Sequence, residues 1–265
     1  MQNQPLGRRP PYAVESVDTT LRLLQLLRDG GSMRLTDAAA EVGVSPSTAH
    51  RLLAMLVYRG FAVQDESKLY WPGPSLGAGP AGVPWTRELR EAVAPHLERL
   101  VRRSGETANL MLRVGAHVRF ITTIESSHVL RVSDRRGFVL PARRASGGKA
   151  LLAELDRAGL DRLFRGPAAE ASGEGVDAGE YAGLLHELEQ VRRAGFATNV
   201  EETEGGVGAI GAALHDAAGS AVAAISLATP VTRLPGALQH GLVELVLEAR
   251  REIDAELARY PLSGR

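Results

Sequence analysis

Between Ser45 and Arg51 the sequence reads SPSTAHR, a run of hydroxyls, one histidine and one arginine. If this run opens a helix, Ser47, Thr48, His50 and Arg51 project from its exposed first turns. Such a face suits the major groove of DNA, where arginine reaches guanine O6 and N7 and serine or threonine bonds to phosphates or base edges. Ser45, at the helix start, and Lys68, in a turn further on, are expected on the phosphate backbone.

The elements needed to present that face are legible around it. Leu35, Ala38, Ala39 and Val42 recur at helical spacing, with Thr36 as the expected N-cap and Asp37 in the first turn. Gly43 can end this helix in the left-handed conformation. Ser45 then caps a second helix with Pro46 at its first position, and Gly60 stops it after Tyr58 and Arg59. Ala49, Leu52, Leu53 and Leu56 form its apolar stripe. Two short helices meeting at a tight turn make a helix-turn-helix, although an αα-hairpin with a solvated face would show the same local pattern. Phe61 to Gln64 and Leu69 to Trp71 read as strands around the turn Asp65-Glu66-Ser67-Lys68, which is the wing of a winged helix. A preceding helix is expected from the cap Ser16, through Val17, Leu21, Leu24 and Leu27, to Gly30-Gly31.

Other chemistry finds little support. Gly206-Val207-Gly208-Ala209-Ile210-Gly211 matches GxGxxG, but it follows the acidic turn Glu201-Glu202-Thr203-Glu204 and opens no clear helix, so its glycines read as close backbone approach instead of a dinucleotide site. Gly147-Gly148-Lys149 lacks the rest of a phosphate-binding loop. The seven histidines include no i, i+4 pair and no HExxH, and no serine sits in a nucleophile elbow. No catalytic residue, metal or cofactor is therefore expected. The cluster Arg131, Arg135, Arg136, Arg143 and Arg144 suits steering of an anionic ligand, a solvated surface or a subunit contact.

The chain has 265 residues, 44% of them hydrophobic, enough for two modest cores. No segment reads as a membrane span, since Val207 to Val231 is mostly Ala and Gly and is broken by His215 and Asp216. The start MQNQPLGRRPPY lacks the apolar region of a signal peptide, and there is no cysteine, so the cytoplasm is the expected compartment. Net charge is zero, and residues 1–75 carry eight Lys or Arg against seven acids. A large cationic field is thus excluded, and tight DNA binding would need two copies of the domain.

Residues 1–15 read as a disordered arm and 16–75 as the winged domain. Residues 76–103 read as a linker and linker helix, because 72–84 is rich in Gly and Pro and a helix follows from Thr86, with Pro95 as a kink or restart. From 104 to 265 come strand candidates at Thr107 to Arg113, His117 to Ile124 and His128 to Val132, then helices at 149–154, 160–164 and 181–193. Three more strands follow at 196–199, 207–214 and 221–227, before a terminal helix of roughly twenty residues that includes Leu238. The fold class is α+β.

The segments SVDTTLRLLQLL, LTDAAAEVGVSPSTAHRLLAMLVYRGF, SGETANLML, GGKALLAEL and EETEGGVGAIGAAL, in this order, resemble the IclR (isocitrate lyase regulator) family of bacterial transcription regulators. The resemblance implies a GAF-like C-terminal domain, an antiparallel sheet with flanking helices and a small-molecule effector pocket. It also implies dimers paired through the DNA-binding domains and assembled into tetramers, and because one winged domain with so little net charge offers too few contacts, a palindromic or near-palindromic double-stranded operator is expected. Positions matching the pocket of relatives that bind small oxo-acids are Ser146, Gly147, Asn199, Ala209, Ser226 and Ala228. Where those relatives carry an acid, a cysteine and a second serine, this chain has Asn199, Ala209 and Ala228, which implies a wider, less polar pocket and a larger, more apolar acid. The runner-up class is a small-molecule-binding or enzymatic GAF-type protein whose N-terminal helices make protein contacts.

Overall fold

The computed structural model describes residues 10–30, 32–65, 68–77, 84–165, 169–170 and 174–260, and the chain divides into two compact units between Gly79 and Pro80. Most of the expected N-terminal arm, the wing tip at Glu66 and Ser67, and residues 78–83 of the Gly/Pro-rich stretch lie outside the described residues.

The first unit is a winged helix-turn-helix. Its helices are α1 (Glu15–Gly30), α2 (Leu35–Val42) and α3 (Pro46–Tyr58), and its small antiparallel sheet, in order β1-β3-β2, comprises β1 (Met33–Arg34), β2 (Ala62–Gln64) and β3 (Leu69–Pro72). Leu23 and Leu27 of α1, Ala38 and Val42 of α2, Leu53 and Leu56 of α3, and Tyr70 of the wing form one buried cluster. Burying each large apolar side chain contributes about 1.5–3 kcal/mol, and this cluster orients α3. Gly43, at φ 75°, ends α2 through N–H bonds to Ala39 and Ala40 carbonyls. Arg22 of α1 reaches across to the last α2 carbonyls, Val42 O and Glu41 O, both at 3.1 Å, so a cation also satisfies the negative end of that helix.

Several local expectations differ from the structure. Helix α1 begins at Glu15, so Ser16, the expected cap, lies in its first turn, and Val17 and Leu21 of the expected apolar stripe are exposed while Leu23 and Leu27 are buried. Helix α2 begins one residue before Thr36, with Arg34 as a cap that makes no side-chain bond, and the Thr36 hydroxyl turns to Asp37 instead. Pairing of Met33 and Arg34 with Tyr70 and Leu69 holds the chain extended up to Arg34 and sets that start. The Pro74–Gly77 segment of the Gly/Pro-rich stretch forms a short helical turn, α4.

The second unit begins with α5 (Pro84–Ser104), which runs through Pro95 without a break. Its face of Leu89, Val93, Leu97 and Leu100 is buried against the sheet and a C-terminal helix. The six-stranded sheet has the order β6-β5-β4-β9-β8-β7 and every pairing is antiparallel. Its strands are β4 (Thr107–Val114), β5 (His117–Ile124), β6 (Val139–Pro141), β7 (Ala197–Val200), β8 (Val207–His215) and β9 (Ala221–Pro230). One face packs on α5 and on α10 (Leu242–Arg259); the other packs on α6 (Ser146–Ala153), α7 (Arg157–Phe164) and α8 (Ala178–Ala194). A short helix, α9 (Leu234–Gln239), precedes α10, so Leu238 lies outside the long terminal helix expected to contain it. His128–Val132 is a loop and not a strand, because its polar neighbours hold it off the sheet edge: Thr107 Oγ1 donates to Val132 O at 2.7 Å and Arg131 bonds Glu125 at 2.6 Å. The third meander strand is β6 instead.

Candidate functional site

On α3 the buried positions are Ala49, Leu53 and Leu56, which leaves Ser47, Thr48, His50 and Arg51 exposed together on the N-terminal turns. Ser45 is the N-cap, accepting from Thr48 N at 3.2 Å, and its hydroxyl lies 3.0 Å from Ser47 Oγ and 2.9 Å from Thr48 Oγ1. Three hydroxyls thus gather at the positive end of a helix dipole, where phosphate oxygens are favoured. Lys68 stands on a different element, exposed in the turn between β2 and β3 with φ 64°, where Asp65 accepts from Leu69 N and Trp71 Nε1. The helix face and the wing are separate elements of one small unit. Ser45→Ala should lower the melting free energy of this unit by about 0.5–2 kcal/mol through the lost cap, read by chemical denaturation of the full chain.

In the second unit, sheet register brings distant residues into rows. Thr123, Asn109, Ser226 and Gly211 stand side by side across β5, β4, β9 and β8; one rung away are Thr107, Ala228, Ala209 and Asn199. Side chains two apart on a strand share a face, so both rows face one cleft. It is lined by Ser146, Asn199, Ala209, Ser226 and Ala228, and also by Asn109, Met111, Arg135 and Thr203. Gly147 is the one expected pocket residue that does not line it. That glycine packs on Met111 and Ala224, where an added Cβ would sit 2.5 Å from Met111 Sδ. Ser146 opens α6, whose N-cap Ala145 supplies no side-chain bond, so among the described residues the first N–H groups of that helix have no side-chain cap.

The space left by the two alanines is not open. Val132, carried in by the loop after β5, packs on Ala209 and Ala228, and the remaining cavity measures about 20 Å³, room for one water. The expected wide pocket is thus corrected: small residues at 209 and 228 are matched by a side chain from a loop whose position was not legible. The amide of Asn199 is also committed elsewhere. Its Oδ1 accepts from Glu202 N at 3.0 Å and its Nδ2 donates to Thr203 Oγ1 at 2.8 Å, which shapes the acidic turn 201–206. Lys149, almost fully buried, ties the same turn to α6 through Glu202 at 2.7 Å while also bonding Glu187 at 2.6 Å.

The arginine cluster splits by role. Arg131 and Arg136 pair at the surface with Glu125 and Asp134, and hydrogen bonds from these guanidinium groups hold both carboxyls below the usual carboxylate range. Arg135 instead turns into the cleft. Asn109 was hidden for a different reason: an asparagine in a strand carries no local signal, and only cross-strand register places it beside Ser226.

Comparisons with known proteins follow this division. Residues 16–66 match the family description "IclR helix-turn-helix domain" and residues 85–255 match "Bacterial transcriptional regulator IclR C-terminal". The chain is 32% identical to the HTH-type transcriptional regulator BhcR of Paracoccus denitrificans, covering 96% of this chain and 91% of BhcR. It is 30% identical to the HTH-type transcriptional repressor AllR of Escherichia coli K12, over 97% of this chain and 94% of AllR. Among solved structures, the IclR protein of Thermotoga maritima aligns with TM-score 0.58 at 23% identity, covering 91% of this chain and 98% of that one. Pseudomonas aeruginosa HmgR aligns at 0.55 and 24%, covering 95% and 100%. These two show the shared fold.

Proposed function

Because this chain belongs to the IclR family of bacterial transcriptional regulators, we propose that it binds a near-palindromic operator through the α3 face and releases or retains it according to a small organic acid in the cleft. The observation that carries the DNA half is the joint exposure of Ser47, Thr48, His50 and Arg51 on a helix whose other face buries Ala49, Leu53 and Leu56 in the core. The effector half rests on a cleft between sheet and α6 that gathers serine hydroxyls, a helix start and an arginine, which together orient a carboxylate without a metal. Repression is the proposed mode, as in the name of the AllR relatives. With about 20 Å³ of present space, the effector is a compact acid that enters as Val132 and its loop move aside. It acts by binding one arrangement of the protein more tightly than another. A gel shift of the full chain on the DNA flanking its own gene tests the reading. A shifted band whose amount changes with millimolar short-chain acids supports it; no shift on any such fragment would remove the DNA assignment.

We also propose a homodimer through the N-terminal units. Val14, just before α1, and Val17 and Leu21 in its first turns lie three and four positions apart and are each more than half exposed, an apolar stripe that a second copy would cover. Val17→Glu with Leu21→Glu is expected to reduce affinity for the full palindrome to about that for one half-site, measured by anisotropy on both DNAs, while the fold remains intact by circular dichroism. Undiminished preference for the palindrome would contradict the pairing.

A further inference from the structure

The effector cleft contains an arginine whose present partner is poorly matched to it. Arg135 has a side chain only 10% exposed, and it meets Glu204, whose side chain is 60% exposed, through a single contact from Nη2 at 2.5 Å. Among the described residues its guanidinium makes no other hydrogen bond. Arg233, in the same unit, shows a completed fork: Nε and Nη2 bond both oxygens of Glu106 at 2.7 and 2.8 Å, and that carboxylate is 5% exposed. A buried guanidinium needs a partner, whereas a mostly hydrated carboxylate gives up little on returning to water.

A second unmet group lies in the same cleft. Asn109 is fully buried and its Nδ2 has no partner among the described residues. Its orientation follows from a relay: Arg135 N donates to Thr123 Oγ1 at 3.2 Å, and Thr123 Oγ1 donates to Asn109 Oδ1 at 2.9 Å, which leaves Nδ2 as the free end. A buried donor without an acceptor is costly in a finished core and expected in a site awaiting a ligand.

We propose that Arg135 is the anion contact of the effector and that Glu204 is an internal stand-in, displaced when the effector's carboxylate takes the guanidinium fork while another of its oxygens accepts from Asn109. This rests on the effector reading of the cleft. Release of Glu204 does not require the acidic turn to unfold, because Lys149 holds Glu202, Asn199 holds Glu202 N and Thr203, and Glu201 accepts from Gly206 N at 2.7 Å. The exchange therefore converts ligand charge into freedom of one side chain at the cleft mouth.

Calorimetry of the full chain with acetate, propionate, pyruvate, malonate and succinate tests it. For whichever acid binds the unaltered protein, Arg135→Gln should weaken binding tenfold or more, while Glu204→Gln should strengthen it about three- to tenfold by removing the competitor. A purely structural ion pair would move both substitutions in the same direction, so weaker or unchanged binding in Glu204→Gln overturns the proposal. Should Arg135→Gln fail to fold, the Glu204→Gln result alone decides, supported by Arg135→Lys, which keeps the charge but loses the fork and should bind more weakly. Binding that responds to Ser226→Ala but to neither Arg135 nor Glu204 would overturn this proposal and leave the cleft reading standing. Binding of no acid at all, or binding indifferent to Ser226 as well, would overturn both.

Discussion

Replacing His50 and Arg51 together with alanine is expected to reduce specific operator affinity roughly a hundredfold or more while leaving the fold unchanged. Each side chain that reads a base contributes about 1–3 kcal/mol of discrimination, and neither belongs to the core formed by Ala49, Leu53 and Leu56. The N-terminal region has almost no net charge, so little nonspecific attraction remains to mask the loss. Anisotropy on a labelled operator reads the affinity, and a thermal melt verifies the fold. Lys68→Ala should act differently, weakening all sequences alike and flattening the salt dependence by about one ion, if Lys68 meets phosphates and not bases as proposed. Unaltered operator affinity in the double variant would mean that another face meets DNA.

The second large effect is expected from Gly211→Ala. A Cβ at this position would lie 2.4 Å from Gly147 N and 2.7 Å from Ser146 C, and both are backbone atoms that no rotamer change can move. Helix α6 must then lift from the sheet, at a cost of about 1–3 kcal/mol for overpacking, and Ser146 shifts in the cleft that it lines together with Ser226. Stability and acid binding should fall together, read by denaturant titration and calorimetry. Gly183, inside α8 with nothing within 4 Å of an added Cβ, is the matching control. Gly183→Ala should stabilise the chain by about 0.5–1 kcal/mol through helix propensity alone. If Gly211→Ala were neutral, the close approach of α6 to β8 would not be what shapes the cleft.

These contrasts also show what could be read before folding and what could not. The winged helix is built from local signals, namely the stripe through Ala49, Leu53 and Leu56, the cap at Ser45 and the stops at Gly43 and Gly60, and each acts where it stands in sequence. Strands β4 and β5 announced themselves by composition in the same way. The loop after β5 did not: His128–Val132 alternates like a strand, yet a bond from Thr107 to Val132 O, a bond from Arg131 to Glu125 and the burial of Val132 on two alanines decide its path. Arg135 could not be singled out within its cluster, for which ligand steering, a solvated surface and a subunit contact were all open, and only the fold separates it from Arg131 and Arg136, which pair at the surface. The GxGxxG match is explained by packing, since Gly208 meets Leu234 and Gly211 meets α6, with no phosphate site required.

The central claim, that paired copies of this chain hold operator DNA through α3, is tested most directly by hydroxyl-radical footprinting of the full chain on DNA flanking its own gene. The account predicts two protected half-sites related by a dyad and spaced by about one helical turn or a multiple of it, both lost with His50→Ala and Arg51→Ala. Protection of a single asymmetric stretch, or a footprint that persists in the double variant, would contradict it.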